Sequence, residues 1–454
     1  SGFDYRPVDG AIYVSHPRST PLKIPGLTVY PDGRSSPRQD DDIPMGKGLF
    51  AASTARALAD NAPGRGRPPV DGRLLTRAEL HERIARIAAA QPRSMSDRLI
   101  AQVEEQASAS GADDIRVFFQ AAYGERPTLD SDSPAMLAAS RGESYDQTRV
   151  ARFRAFAFGL GNEAPASRRP VDIARTEFIP FYEAYFSNFI EGTEFPVREA
   201  EAVVFEQADF GRPRDAHDVR GTYEVVNNRK EMEQRFASPD AFMDALRERH
   251  YRMMSQRPDV MPGMWKDRNN QAGMTQFVDY SLVPGTLRAG WSIGQEIADP
   301  FRRAVYMMFM VAEVHPFIGC NGRSARVAMN NELVAEGEER VIIPTVLRLD
   351  YLSALTRATA DGGPAGLYRV MDFAQNWVSV GDFSSTDAGL EYVELTNALV
   401  DAREAERGGY RLAIPRRSAM GGYVWDEEPR RPDPLAPSVS GGPMPFSLDT
   451  SIDR

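Results

Sequence analysis

Cysteine is nearly absent from this sequence: Cys320 stands alone in 454 residues. No intrachain disulfide can form, so a reducing compartment is expected and stability must come from a packed core. Lysine is scarce too, with only Lys23, Lys47, Lys230 and Lys266, and arginine carries the remaining positive charge. That bias fits a high-GC bacterial genome, although arginine also suits bidentate contact with phosphate. Long apolar runs are missing. Nowhere do about 18 apolar residues follow one another, and the N-terminus has no basic-then-apolar pattern, so no membrane span is expected. A cytoplasmic protein is the default reading. A surplus of positive charge is lacking as well. The formal net charge of −10 argues against nucleic acid and against an anionic membrane as partners.

What remains is an ordinary globular composition, 42% hydrophobic and 26% charged, long enough for two or three domains. Residues 1–72 are rich in Pro, Gly, Arg and Asp and read as an extended arm, in which the short apolar pieces "AIYVS" and "LTVY" could pair as strands. Helical periodicity begins after residue 73. Thr76 and Glu79 form a capping box ahead of "LHERIARIAAA", and a small helical region of undisclosed role is expected to run to about 169. From 170 to 385 the pattern is mainly α, with one hairpin expected in "NNQAGMTQFVDYSLV". Residues 386–425 predict one more helix, "YVELTNALVDAREAERGG", and a short strand. Residues 426–454 read as a Pro-rich tail.

One stretch stands apart: "EVHPFIGCNGRSARVAMNNELV", residues 313–334. The segment before it, "FRRAVYMMFMVAEV", is apolar all round and predicts a buried helix. The segment after it predicts a second helix that Gly337 stops. The loop "IGCNG" would then sit at a helix N-terminus, where unpaired N–H groups and the dipole favour an anion. Arg323 and Arg326, three apart, would project toward the same anion. His315 would stand at the rim of the loop as a base, and Phe317 would turn inward. An Asn-Gly turn and a lone histidine are by themselves more often structural than catalytic.

Together, however, "HPFIGCNGRSAR" resembles the signature of the Fic family, HPFx(D/E)GN(G/K)RxxR, at His315, Pro316, Phe317, Asn321, Gly322, Arg323 and Arg326. The resemblance covers about 170–385. It implies a helical Fic core with a small β-hairpin flap, and a nucleotidyltransferase that moves AMP from ATP onto a Ser, Thr or Tyr hydroxyl of a target protein. His315 would be the general base. Asn321, Gly322 and the loop N–H groups at Gly319 and Cys320 would hold the phosphates, and Arg323 and Arg326 would grip the triphosphate. ATP is then a substrate, a hydroxyl-bearing protein the partner, and a homodimer is compatible with the family.

Two positions depart from the signature. Gly319 stands where the family has the acidic ligand of Mg²⁺, and Cys320 stands where it has a loop glycine. Glycine offers no side chain to a hard cation, so Mg²⁺ would have to ride on phosphate and water. Cys320 places a Cβ where the loop would need an unusual backbone angle. Three explanations stand side by side: another donor (UTP, GTP or a phosphocholine-type substrate) or a metal-poor mechanism, a catalytically weak nucleotide-binding regulator, or changes introduced at the site.

Upstream, "PFYEAYFSNFIEGTEF" reads as an amphipathic helix that Gly192 stops, with Ser187 and Glu191 on one face. "SNFIEG" resembles the inhibitory motif (S/T)xxxE(G/N) of Fic proteins with an N-terminal inhibitory helix. The resemblance implies that Glu191 pairs with Arg326 and fills the place of the γ-phosphate. A third segment, "PGMWKDRNNQAGMTQFVDY", resembles the lead into the family's target-positioning flap, with Gly273, Met274, Thr275, Gln276 and Phe277 around its turn. His250 lies on an apolar helical stripe and reads as a core residue, and His217 has no assigned role.

Overall fold

The computed structural model describes residues 10–31, 42–46, 48–62, 74–90, 93–126, 129–418 and 422–432. Residues 433–454 of the expected tail, and 1–9, 32–41 and 63–72 of the expected arm, lie outside the described residues. The fold is mainly α, with eighteen α-helices and nine short strands among the described residues. None of these helices is long and apolar enough to cross a membrane. The chain divides into two compact units, Ser1–Gln147 and Thr148–Arg454. The division falls inside the helical region expected at 73–169.

In the first unit, β1 (Ala11–Val14), β2 (Leu22–Ile24) and β3 (Leu27–Pro31) form a sheet in the order β1-β3-β2. The apolar pieces of the arm thus do pair: β1 runs parallel to β3, and Tyr13 stacks on Tyr30, its register partner. β4 (Ile43–Gly46) and β5 (Leu49–Ala51) make an antiparallel pair. Helices α1 (Thr54–Asp60), α2 (Arg77–Ala90), α3 (Arg93–Gln106), α4 (Ala109–Ala122) and α5 (Pro134–Ser140) follow. The capping box is formed at α2, with Glu79 N–H on Thr76 Oγ1 and Thr76 N–H on Glu79 Oε2. Leu58 of α1 shares one buried core with Ile84, Val103, Ile115, Phe119 and Met136. The expected arm is therefore partly built into the helical core that follows it.

The second unit holds α6 (Gln147–Asn162), α7 (Ile179–Ile190), α8 (Val197–Phe205), α9 (Pro213–Asn227), α10 (Arg229–Met232) and α11 (Pro239–Met254). The hairpin β6 (Gln271–Ala272) and β7 (Thr275–Gln276) comes next, then α12 (Val283–Gln295), α13 (Pro300–Val314) and α14 (Asn321–Ala335). The chain continues through α15 (Arg348–Asp361), α16 (Ala365–Val380), α17 (Thr386–Leu395), α18 (Ala402–Gly408), β8 (Arg416–Arg417) and β9 (Tyr423–Val424).

Helix α13 is the axis of this unit. Asp299 caps it by accepting from Arg302 N–H, Pro300 occupies its first turn, and Val305 to Val311 are completely buried. Phe156 of α6 stacks on Phe309 at 3.9 Å, and α14 packs along the same helix. α12 approaches closely at Gly290, where a Cβ would lie 2.8 Å from Met310 Cγ. α14 ends as expected: Gly337 takes φ +69°, its N–H bonds Val334 O, and Glu338 N–H reaches back to Leu333 O.

The C-terminal segment corrects one expectation. The single helix read over "YVELTNALVDAREAERGG" is two helices, broken between Leu395 and Ala402. Trp377 Nε1–H donates to Thr396 Oγ1, Asn397 adopts φ +63°, and Asp401 accepts from Arg403 and Glu404 N–H to start α18 afresh.

Candidate active site

The expected layout of buried helix, short loop and second helix is present. His315 is the C-cap of α13 in the left-handed region, at φ +52°, and Cys320 is the N-cap of α14 at φ +63°. A non-glycine residue in that region carries strain of about 1 kcal/mol or more, so Cys320 does occupy a backbone angle that suits glycine. Its side chain is fully buried beside Ala184, Val225 and Ile318.

Asn321 closes the loop. Its Oδ1 accepts from Phe317 N–H and its Nδ2 donates to Phe317 O, both at 2.9 Å. The side chain expected to meet phosphate thus holds the loop's own backbone. Phe317 is buried as expected, its ring stacked on His250 at 3.8 Å and on Trp265 at 5.3 Å. His250 belongs to the core, and it also shapes the loop. Gly263 N–H donates to its Nδ1, so Nε2 carries the proton and donates to Gly319 O at 3.2 Å. Burial lowers His250 to about 3, which keeps it neutral at pH 7.

Helix α7 delivers the second group. Gly192 takes φ +91°, its N–H bonds Phe189 O, and Thr193 N–H returns to Asn188 O. This stop leaves Glu191 at the C-cap, where its Oε1 lies 2.7 Å from Arg326 Nη2. Arg326 also donates through Nε to Ser187 Oγ at 3.0 Å and through Nη2 to Ser187 O at 2.9 Å. The ion-paired side chains are 4% and 2% exposed. Burial opposes the charge of Arg326, but Glu191 and Tyr351 together outweigh it and hold the guanidinium above its ordinary value.

Arg323 and Arg326 reach different carboxylates. Arg323 turns to Asn188 Oδ1 at 2.9 Å and to Asp218 Oδ2 at 3.3 Å. Asp218, on α9, also accepts from Arg257; burial opposes its charge, yet Arg323 and Arg257 keep its carboxyl below the usual range. Gly322 lies directly beneath Glu191: a Cβ there would be 2.2 Å from Glu191 Oε1. The carboxylate therefore sits on the first turn of α14, where an anion is favoured.

The flap lies over His315. β6 and β7 pair antiparallel, with Gly273 at φ +55° and Met274 fully exposed at the turn; Thr275 and Gln276 form β7. Phe277 stacks on the His315 imidazole at 3.7 Å with the rings 4° from parallel. The base of the hairpin is fastened to the loop: Lys266 N–H donates to Pro316 O, Lys266 Nζ to Asn270 Oδ1, and Asn270 Nδ2 to Phe317 O. Burial brings Lys266 down to about 7. His217, on α9, exchanges a hydrogen bond with Ser255 Oγ and stands 3.9 Å from Asp218.

The residues at the metal position do not fit a protein-held Mg²⁺. Gly319 offers only its carbonyl, which accepts from His250, while Glu191 and Asp218 are paired with arginines. No group of three or more His, Cys, Asp or Glu among the described residues could hold a metal ion. Asn188, Asp218, Lys266 and Asn270 escaped the sequence reading, as did the bond from His250 to Gly319, because each acts through a partner distant in the chain.

Residues 240–333 match the Fic/DOC family model. No curated protein matches the chain. Among solved structures, it is similar to the fragment aa134–508 of Fic-1 from C. elegans at 17% identity and TM-score 0.38, covering 70% of this chain and 88% of that one. It is also similar to a Fic domain containing signaling protein from Bacteroides thetaiotaomicron VPI-5482, at 16% identity and TM-score 0.38, covering 59% of this chain and 99% of that one.

Proposed function

We propose that this chain, whose residues 240–333 match the Fic/DOC family model, is a transferase that moves AMP from ATP onto a hydroxyl of a target protein and is held inactive by Glu191. The observation that supports this reading most is the place of the Glu191 carboxylate. It lies on Arg326 and above Gly322, at the N-terminus of α14, so a buried anion already occupies the phosphate end of the site. In the reaction, His315 takes the proton of the target hydroxyl. The oxygen attacks the α-phosphate, the bond to the β-phosphate breaks, and pyrophosphate leaves. The α14 N–H groups and Arg323 neutralise the phosphates, and Arg326 takes the γ-phosphate once Glu191 has moved away. No step runs through a metal held by residue 319.

Gly319 and Cys320 favour a second reading, in which the donor is UTP, GTP or a phosphocholine-type substrate, or in which the site binds nucleotide as a weak regulator. Intact-mass spectrometry of the Glu191→Gly protein after incubation with each donor separates these. An added AMP mass with ATP, lost in a Glu191→Gly, His315→Ala double variant that still binds nucleotide, is the expected result. A different added mass names another donor. No added mass on any protein would overturn the enzyme reading.

A further inference from the structure

Glu313 lies two residues before His315 on α13 and is 1% exposed. A carboxylate so deep persists only if its charge is met. Arg149 and Arg152 of α6 and the Thr359 hydroxyl of α15 meet it. Arg149 makes one contact that Arg152 does not: its Nη2 donates to the carbonyl of Gln276, the last residue of β7. The next residue is Phe277, whose ring covers His315. One guanidinium thus joins the helix that carries His315 to the flap residue just before that ring.

We infer that Arg149 is a positioning residue that sets the flap on α13, so that Phe277 holds the His315 imidazole in one orientation and keeps water from one of its faces. A guanidinium can do this because its planar fork serves two acceptors at once, whereas an ammonium would reach one of them well. Arg149 acts through Gln276 and Phe277. It also lies outside residues 240–333, the segment that matches the family model. Its catalytic meaning rests on the reading of His315 as the base, but the placement of the flap does not.

The test reads that placement directly. Phe277 displaces the His315 Cε1–H resonance by its ring current, and Phe277→Ala gives the position without the ring. In ¹³C-histidine-labelled full-length protein, Arg149→Ala and Arg149→Gln should move the resonance at least halfway to the Phe277→Ala position. Arg152→Ala, which removes a partner of Glu313 without touching the flap, should leave it near wild type. In the Glu191→Gly background, Arg149→Ala should lower kcat/KM for the hydroxyl target at least about tenfold with nucleotide affinity within about twofold, and Arg149→Lys should recover part of the loss. An unmoved resonance in Arg149→Ala, or an equal movement in Arg152→Ala, overturns the inference. A moved resonance in a protein that transfers nothing supports the flap placement and overturns only the enzyme reading.

Discussion

Glu191 Oε1 lies 2.7 Å from Arg326 Nη2, and the same oxygen stands where a side chain on residue 322 would begin. Three features converge there: a helix stop that aims a carboxylate, a buried arginine that receives it, and a glycine that leaves it room. An isolated buried carboxylate would be costly, so the pair is mutually dependent. Removing Glu191 exposes an unmatched cation next to a helix N-terminus, an arrangement that attracts phosphate.

Gly322→Ala separates inhibition from binding. Its Cβ would displace the Glu191 carboxylate, as Glu191→Gly also does, but it would occupy part of the anion's place. Gly322→Ala should therefore gain less than about a third of the activity that Glu191→Gly gains, despite losing the Glu191–Arg326 contact. Measured labelling rates decide this; equal gains in both variants would mean that the anion does not sit over residue 322.

Gly319→Asp places a carboxylate where the family signature has an acidic residue. In the Glu191→Gly background, ATP affinity should differ by less than about threefold between Mg²⁺ and chelator, and Gly319→Asp should widen that difference to about tenfold or more. The rate carries a second answer. A faster AMP transfer in Gly319→Asp marks a weakened adenylyltransferase, and a slower transfer with the native donor marks a loop adapted to other chemistry.

Lys266 gives the fold a pH dependence of known sign. Burial lowers it from 10.5 to about 7, so the folded chain holds it neutral over a range in which the unfolded chain protonates it. Its contribution to stability is therefore greatest above 10.5, declines as pH falls toward about 7, and is level below that. Relative to Lys266→Met, wild type should lose roughly 1–3 kcal/mol between pH 9.5 and 7 and little more by pH 6, as read by urea unfolding. A pH-independent difference between the two proteins would contradict this.

The parts of the fold and of the site that are written locally were legible. The helix stops at Gly192 and Gly337, the capping box of Thr76 and Glu79, the hairpin turn at Gly273 and the all-round apolarity of α13 each depend on neighbours a few residues away. The pairing of Glu191 with Arg326 was legible only through the resemblance of two short motifs, since 135 residues separate the partners. What escaped depends on distant contacts that no periodicity records. His250 meets Gly319 across 69 residues and Arg149 meets Glu313 across 164. Asn321 was read as a phosphate ligand, and that reading did not include the two hydrogen bonds its amide makes to the Phe317 backbone four residues earlier. The break between α17 and α18 was hidden for a similar reason: "YVELTNALVDAREAERGG" has helical composition, and the interruption is fixed by Trp377 reaching Thr396.

The central claim is that Glu191 occupies the place of a γ-phosphate on Arg326, and calorimetry of ADP and ATP binding to wild type and Glu191→Gly tests it most directly. A diphosphate has no group to collide with Glu191, so ADP should bind both proteins about equally. ATP should bind Glu191→Gly at least about tenfold more tightly than wild type, the equivalent of roughly 1.4 kcal/mol. Arg326→Ala in the double variant should remove that gain. The same ratio of ATP to ADP affinity in wild type and Glu191→Gly would contradict the account.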